Sequence, residues 1–219
     1  MEHPIPTRSE MREALAERHG VELQRRLEAS HVAVCGLGGL GSNIAIALAR
    51  AGVGHLSLFD FDRVDISNLN RQQYLVRQLG MRKTDAMREN LADIAPYCQV
   101  DATEVRLDEE NVPMLLDNSP IICEAFDKAE AKSMLTNAVL EKLPDAWLVA
   151  GSGMAGLASA NLIRTRRIAK RFILCGDLVN GLENSGSLVS ARVLACAAHQ
   201  ALTVIRIIAG EFDSPDVKE

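Results

Sequence analysis

The sequence predicts an α/β domain in which a mostly parallel sheet carries helices on both faces. Two observations predict it. Short apolar runs alternate with helical segments between residues 31 and 150, and a glycine-rich turn joins the first run to the first core helix. At 219 residues, with 47% hydrophobic and 24% charged residues, the chain can bury a substantial core. We therefore expect one domain over residues 1–219.

The short apolar runs are predicted strands, and the segments between them have the apolar spacing of helices. The predicted strands are His31–Cys35, His55–Asp60, Gln99–Val105, Pro120–Glu124 and Trp147–Ala150. The predicted helices are Glu10–Leu27, Ser42–Ala51, Lys83–Ile94, Glu109–Leu116, Ala129–Leu143 and about Ser187–Ala209. Gly52 and Pro96 end the second and third helices.

Four parts of the domain are expected from this pattern. They are an N-terminal helical arm at about 1–28, a nucleotide-binding α/β core at 29–150, a hairpin with a closing helix at 151–210, and a polar tail at 211–219. The hairpin is predicted because Gly153, Gly156 and a basic run near Arg164 break the alternation of strand and helix.

Composition argues against several classes of protein. A net charge of −5 gives no general attraction to nucleic acid or to an anionic membrane. The five cysteines are scattered and none form a Cys-x-x-Cys pair, so we expect reduced thiols, a cytoplasmic location and no zinc. Residues 1–10 lack the apolar core of a secretory signal. The apolar stretch 187–210 contains Arg192 and Arg206, which favours a buried or interface helix over a membrane span.

The glycine-rich turn is a candidate phosphate loop. Gly36, Gly38, Gly39 and Gly41 lie between a predicted strand and helix, where a tight backbone turn brings phosphates to the positive end of the helix. Asp60 ends the next strand, nineteen residues after Gly41, where a carboxylate can bind ribose hydroxyls. This Rossmann-like pattern leaves NAD, FAD and ATP open, and a dehydrogenase would be the ordinary first hypothesis.

The polar segment 60–72 distinguishes between these nucleotides. It follows the ribose-binding strand and supplies Asn68, Arg71 and Gln72 at the carboxyl edge of the predicted sheet. An enzyme that transfers hydride needs few polar side chains beside this strand, whereas a triphosphate needs charged and polar groups that bind it and neutralise its charge. The segment therefore favours ATP.

Several motifs together resemble the ThiF/MoeB adenylyltransferases, which are relatives of the ubiquitin-activating enzymes. They are the glycine loop 36–41, Asp-Phe-Asp at 60–62, Ser-Asn-Leu-Asn-Arg-Gln at 67–72, Gly80-x-x-Lys83 and Ala125-Phe126-Asp127. The resemblance covers about residues 12–210. It implies a ubiquitin-activating-enzyme-like adenylation domain that uses ATP and Mg²⁺. Its partner would be a small ubiquitin-like sulfur-carrier protein whose C-terminal Gly-Gly carboxylate becomes an acyl adenylate as pyrophosphate leaves.

The resemblance also implies roles for individual residues. Asp60 would bind ribose, while Asn68, Arg71 and Lys83 would hold the triphosphate with support from Gln72. Asp127 would bind Mg²⁺, a metal that prefers carboxylate and phosphate oxygens. Arg12, or Arg18 as a second candidate, is implied to reach the active site of a partner subunit, which would make the active unit a homodimer. The implied catalytic residues are thus Arg71, Lys83, Asp127 and Arg12.

Departures from the family pattern refine this hypothesis. Many members hold a structural zinc with two Cys-x-x-Cys pairs, which this chain lacks and which adenylation does not require. The overall resemblance, including Glu17-Arg18-His19-Gly20 and Cys196-Ala-Ala-His199-Gln200, is to the zinc-free ThiF-type proteins of thiamine biosynthesis. Residues 181–192 contain no cysteine for a covalent sulfur-transfer step. The basic cluster Arg164, Arg166, Arg167, Lys170 and Arg171 is either a solvated edge or a docking surface for an acidic carrier protein.

Three alternatives remain open at this stage. A relative of the tRNA threonylcarbamoyladenosine dehydratases would keep the chemistry and change the substrate, although the acidic net charge disfavours RNA. A NAD(P)- or flavin-binding oxidoreductase would use the glycine loop and Asp60, but it would give Arg71 and Lys83 no role in binding or catalysis. A catalytically inactive scaffold is disfavoured by the intact set of motif residues.

Overall fold

A seven-stranded sheet forms the centre of the computed structural model, which describes residues 5–181 and 185–212. The strands are β1 (His31–Cys35), β2 (His55–Asp60), β3 (Gln99–Glu104), β4 (Ile121–Glu124), β5 (Trp147–Gly151), β6 (Arg164–Ala169) and β7 (Phe172–Gly176). Their order is β3-β2-β1-β4-β5-β7-β6. Every neighbouring pair is parallel except β6 and β7. The predicted mostly parallel, Rossmann-like α/β fold is confirmed.

The helices are α1 (Arg8–His19), α2 (Val21–Glu28), α3 (Gly39–Ala51), α4 (Lys83–Ile94), α5 (Val112–Leu116), α6 (Ala129–Lys142) and α7 (Ser190–Ala209). The prediction of one helix over Glu10–Leu27 is wrong, because Gly20 has φ 92° and separates α1 from α2. The prediction for α4 is confirmed at both ends. The predicted tail 211–219 lies outside the described residues from 213 onward.

The core has two parts, one on each face of the sheet. Alternate strand residues point to opposite faces, so Val32 and Val34 of β1 pack towards α3, α4 and α7, while Ala33 and Cys35 pack towards α5 and α6. Because β1, β2, β4 and β5 have helices on both sides, nearly all of their residues are buried and most of them are apolar. This burial fixes where the carboxyl ends of the strands lie.

Helix α7 closes the domain by packing against α3 and β5. Within the described ranges it is the helix whose length and composition would also suit a membrane span. However, it buries Arg192 and Gln200 among protein hydrogen-bond partners, as a core helix does. Gln200 Nε2 donates to the carbonyl oxygens of Glu124 and Val149, which ties α7 to the ends of β4 and β5.

The predicted hairpin after residue 151 is formed by β6 and β7. Strand β7 runs parallel to β5, and β6 returns antiparallel to β7 as the edge strand. The edge strand is rich in arginine, a composition that discourages pairing with another sheet edge.

Candidate functional site

The glycine loop lies where the strand order reverses between β1 and β4, the position at which parallel α/β sheets bind ligands. Gly36 has φ 94°, and a Cβ there would lie 2.9 Å from the Ala125 carbonyl oxygen. A Cβ on Gly41 would clash with the Gly36 carbonyl oxygen. These two glycines let α3 begin directly beneath the turn.

Gly38 faces open space instead. A Cβ there would meet nothing closer than Gln72 Nε2 at 3.9 Å. Gly38 is the N-cap of α3, and no side chain caps the helix. The first N–H groups of α3 are therefore available to an anion, and the helix dipole favours negative charge there.

A cleft of about 290 Å³ opens at this end of the sheet. It brings together all but one of the cofactor-site residues predicted from the sequence, which are Gly36, Gly38, Gly39, Asp60, Asn68, Arg71, Gln72, Lys83 and Asp127. Gly41 lies directly behind Gly36. The fold therefore brings residues from separate segments of the sequence to one cleft, as the predicted nucleotide site requires.

Asp60 is held rigidly at the floor of the cleft. Its Oδ2 accepts the Leu37 N–H at 2.6 Å, and its Oδ1 accepts the Asp62 N–H at 2.7 Å. Burial raises the pKa of Asp60, and the nearby Lys83 ammonium and the two N–H donors partly oppose that effect. The carboxylate is thus fixed at the end of β2, where its remaining lone pairs can accept ribose hydroxyls.

Lys83 is 5% exposed, and its Nζ lies 2.8 Å from Asp62 Oδ2. Sequence analysis did not assign Asp62 to the site, but this ion pair holds the ammonium group at the cleft. Asp62 is half-exposed, so its carboxylate can turn to solvent when a phosphate takes its place. The Lys83 N–H also bonds the Asp62 carbonyl oxygen at 2.9 Å, which joins α4 to the polar segment.

Residues 61–78, which extend the polar segment 60–72 towards α4, are held in place by hydrogen bonds. Asn43 of α3 donates to the carbonyl oxygens of Gly39 and Arg71, and Tyr74 donates its hydroxyl to the Leu37 carbonyl oxygen at 2.8 Å. Gln78 exchanges hydrogen bonds with Asn90 of α4. The segment is therefore a rigid wall of the cleft.

Three side chains of this wall face the cleft. Arg71 donates to the Ser67 carbonyl oxygen and to Asn70 Oδ1, and in the described ranges no carboxylate pairs with it. Gln72 is buried, and its Oε1 has no hydrogen-bond partner among those residues. Asn68 makes only a long bond, 3.4 Å, to Ser67. Unsatisfied polar groups beside a helix N-terminus fit a triphosphate.

Asp127 lies on the opposite wall, in the short loop between β4 and α6. It is exposed, and its carboxylate bonds to no described residue. An unpartnered carboxylate that faces the arginine and lysine of the cleft fits the oxygen-rich coordination of Mg²⁺.

A buried charge pair, which sequence analysis missed, underlies this wall. Glu124 is 1% exposed, and Lys132 Nζ lies 3.0 Å and 3.1 Å from its two carboxylate oxygens. Lys132 also donates to the Gly151 carbonyl oxygen at 2.8 Å. A lysine near the start of a helix opposes the helix dipole, and the carboxylate of Glu124 offsets that cost here.

Other cleft residues were missed because they carry no motif. Arg106 lies over the Phe61 ring, with its guanidinium carbon 5.5 Å from the ring centroid, and both line the cleft beyond Asp60. Lys128, Met154, Leu188 and Val193 complete the lining. The last three come from the hairpin region and α7, so the later part of the chain forms one side of the site.

Arg12 does not lie in this cleft. It is on α1 and lines a separate pocket of about 160 Å³ near the amino ends of β2 and β3, which is the opposite edge of the sheet. Its implied role in a partner subunit stays a prediction.

None of the five cysteines lines the cleft. Cys35, Cys123, Cys175 and Cys196 are buried, and burial raises the pKa of Cys196 to about 12. Cys98 is partly exposed near Arg12, and burial raises its pKa to about 11. These thiols lack the low pKa and the access of a sulfur nucleophile.

Comparison with known proteins places these motifs in one family. The sequence model of the ThiF family matches residues 11–218. An adenylyltransferase and sulfurtransferase MOCS3 from Culex quinquefasciatus is 30% identical over 213 residues, covering 91% of this chain and 46% of that protein. A tRNA threonylcarbamoyladenosine dehydratase from Bacillus subtilis is 37% identical over 153 residues, covering 69% of this chain and 59% of that protein. The chain spans about half the length of these relatives.

Solved structures agree on the fold. The E. coli tRNA N6-threonylcarbamoyladenosine dehydratase TcdA in complex with ATP superposes with a TM-score of 0.84 at 20% identity, covering 97% of this chain and 100% of that one. E. coli MccB with ATP gives a TM-score of 0.67 at 19% identity, covering 89% and 60%. The adenylation-domain fold predicted from the motifs is confirmed.

Proposed function

The chain belongs to the ThiF family, and on that premise we propose that it is an ATP-dependent adenylyltransferase acting on a ubiquitin-like sulfur-carrier protein for thiamine biosynthesis. The observation that carries the proposal is the joint placement of Arg71, Lys83, unpaired Gln72 and Asp127 around an uncapped helix N-terminus. The ATP-bound structures with the same fold support the nucleotide.

In this proposal an oxygen of the carrier's C-terminal glycine carboxylate attacks the α-phosphorus of ATP. The bond from that phosphorus to the bridging oxygen breaks, and pyrophosphate leaves with the electron pair. The carboxylate is already ionised at neutral pH, so no general base is needed. When bound, Mg²⁺ neutralises phosphate charge and orients the leaving group.

Residues of the chain supply the remaining catalysis by position and charge. Asp60 holds the ribose, while the N–H groups of α3, Asn68 and Gln72 hold phosphate oxygens. Arg71 and Lys83 neutralise the charge that develops as pyrophosphate leaves. Lys83, which pairs with Asp62 in the structure, would turn to the triphosphate, whose larger negative charge attracts the ammonium group.

The carrier is proposed to dock on the β6–β7 hairpin. Helix α6 packs on β4 and β5, and it leaves Phe172 and Leu174 of β7 half-buried beside the basic cluster. Arg164 is exposed, whereas Arg166 donates to the Gly176 carbonyl oxygen and Arg171 pairs with Asp145. An apolar patch rimmed by arginines suits an acidic protein partner.

The carrier's C-terminal tail would reach the nucleotide past Met154 and Leu188, which line the cleft. We propose a homodimer as the active unit, with the exposed Leu194 and Leu202 of α7 in its interface.

Pyrophosphate–ATP exchange with purified carrier proteins ending in Gly-Gly tests the proposal. Exchange should depend on the carrier and on Mg²⁺. Asp127→Ala should reduce exchange at least about a hundredfold, whereas the exposed Asp93→Ala control should retain it. No exchange with any carrier, from a folded protein that binds ATP, would sink the proposal.

A second candidate keeps the adenylation step and changes the carboxylate. The B. subtilis relative and the TcdA structures favour a modified tRNA nucleoside as substrate. In that case the protein should shift tRNA in a salt-dependent manner, and carrier proteins should not stimulate exchange.

A further inference from the structure

Asp127 is the least supported of the residues proposed to act on ATP. No described residue bonds its carboxylate, so its position depends on the backbone of residues 125–128. The Ala125 N–H bonds the Cys35 carbonyl oxygen at 2.9 Å, and the Phe126 N–H bonds Glu124 Oε1 at 2.7 Å. The strand side of this loop is therefore anchored by the Glu124 carboxylate.

The helix side is anchored by the same carboxylate. Lys132 reaches from the first turn of α6 to both oxygens of Glu124, and its third bond goes to the Gly151 carbonyl oxygen of β5. One ammonium group thus fixes the start of α6 against two strand ends. Gln200 holds the Glu124 carbonyl oxygen from the far side at 3.0 Å.

This arrangement costs desolvation and places a lysine against the dipole of its own helix. Glu124 is 1% exposed, and the Lys132 side chain is 22% exposed. A packed apolar pair would fill the space without that penalty. The bonds instead converge on a four-residue loop whose one free carboxylate faces the cleft.

We propose that Lys132, through Glu124, is a positioning residue that sets the location of the Asp127 carboxylate for the metal of the ATP complex. The proposal rests on the proposed function, because it takes Asp127 as the Mg²⁺ ligand. It predicts that loosening the Lys132 bridge weakens the metal linkage more than the binding of the nucleotide.

The test measures ATP binding by calorimetry across a Mg²⁺ titration, with no carrier present, alongside thermal unfolding. Lys132→Met should raise about tenfold the Mg²⁺ concentration at which ATP binding is half-maximally tightened, the size of effect typical when a residue that holds a metal ligand in place is removed. ATP affinity without metal should stay unchanged. Lys132→Arg should restore most of the Mg²⁺ response. Lys142→Met is the control, since Lys142 lies on the same helix and bonds only the Glu109 carbonyl oxygen.

A buried charge without its partner can prevent folding. If Lys132→Met does not fold, the Glu124→Gln/Lys132→Met double variant removes both charges and keeps an acceptor for the Phe126 N–H. It should show the same Mg²⁺ shift. A wild-type Mg²⁺ response in either folded variant, with only the melting temperature lowered, overturns the positioning role.

The two proposals fail differently. If wild-type protein binds ATP with no Mg²⁺ linkage, the metal part of the proposed function fails. If wild type and Asp127→Ala differ in Mg²⁺ linkage while Lys132→Met matches wild type, only the positioning role fails.

Discussion

The glycine loop can form only where a Cβ atom is absent at a crowded position. Gly41 lies in the first turn of α3, where alanine would ordinarily gain about 1 kcal/mol of helix propensity. The added Cβ would clash with a backbone carbonyl oxygen, which cannot move as a side chain tip can. Gly38 in contrast faces open space, so the two glycines form a matched pair.

We therefore expect Gly41→Ala to lower the free energy of unfolding by about 1–3 kcal/mol and to abolish ATP binding. Gly38→Ala should keep the stability of the wild type. Urea denaturation and ATP calorimetry on both variants check this. Equal stability of the two variants would contradict the role assigned to the Gly36–Gly41 contact.

The raised pKa of Asp60 predicts that nucleotide binding is sensitive to pH. In the proposed function the ionised carboxylate accepts ribose hydroxyls, so the preference for ATP over 2′,3′-dideoxy-ATP should be full at neutral pH and fall on acidification. The fall should be centred above the ordinary aspartate value, because burial raises the pKa. Burial of the charge also means that this group favours folding most at low pH and less as pH rises through the raised value.

Competition binding of the two nucleotides between pH 4.5 and 8 measures the effect, at roughly half-unit steps. In Asp60→Asn the preference should be small at every pH. A wild-type preference that does not change with pH would show that Asp60 does not bind the ribose.

The burial of the thiols predicts that the native protein reacts slowly with thiol reagents. In native protein, Ellman's reagent should modify Cys98 slowly and leave the other four cysteines unreacted, and all five should react after unfolding. Exchange activity should survive alkylation of the native protein. Loss of activity that Cys98→Ser prevents would place a functional thiol where the geometry shows none.

At the scale of elements, the ends of a helix could be predicted only where nearby residues in the sequence mark them. Helix α4 was predicted to the residue because apolar spacing and Pro96 mark it within one stretch of sequence. The break at Gly20 was missed because a single glycine does not end every helix. Here the missing Cβ allows a positive φ at Gly20, and α2 turns to bury Leu27 against the core. Helix α3 begins at Gly39, three residues before the prediction, because glycines of the loop are already helical.

The stacked imidazoles of β1 and β2 make sheet stability depend on pH. The His31 and His55 rings lie 3.9 Å apart and nearly parallel, and burial together with His55 lowers the pKa of His31. A histidine with a lowered folded-state pKa stabilises the protein above its unfolded pKa, about 6.5, and that stability is lost as pH falls. The His55–Asp101 pair, at 2.6 Å, partly opposes the loss.

The free energy of unfolding, and with it the melting temperature, should therefore fall between pH 7.5 and pH 5. His31→Gln should reduce the slope of the unfolding free energy against pH by at most the contribution of one proton, about 1.4 kcal/mol per pH unit. Gln can keep the bonds to Ser57 and to the Asn118 carbonyl oxygen. His199→Gln, on α7, is the control. An unchanged slope in His31→Gln would exclude the stack as the source.

At the scale of the molecule, the placement of Arg12 sets a sharp test. It lies at the opposite sheet edge from the cleft, so it can act on ATP only in another subunit. Arg12→Ala and Lys83→Ala should each be inactive alone. After mixing and reassembly, exchange should return to about a quarter of wild type, because half of random dimers are mixed and each has one complete site.

No recovery on mixing, from variants that size-exclusion chromatography shows to be dimeric and exchanging, would remove Arg12 from the site. Full activity of Arg12→Ala alone would do the same. Either result leaves the roles of Arg71 and Lys83 untouched.

The candidate site was predictable where its residues share a contiguous motif. Asn68, Arg71 and Gln72 were found because they follow the ribose strand along the chain. Asp62, Glu124 and Lys132 were missed because their importance lies in what they contact, and an ion pair between a strand end and a helix is not written in spacing. Arg106 and Val193 line the cleft only because the fold returns them there.

The division of the cleft between two stretches of chain has a consequence for protein engineering. The residues proposed to hold phosphates and ribose come before residue 130, whereas Met154, Leu188 and Val193 form the wall that we expect an acyl group to pass. In the proposed function, nucleotide binding and substrate recognition therefore depend on different stretches of the chain. Transplanting residues 151–193 between homologues, which exchanges this wall, should redirect the proposed activation chemistry to a new acid while the nucleotide pocket stays intact.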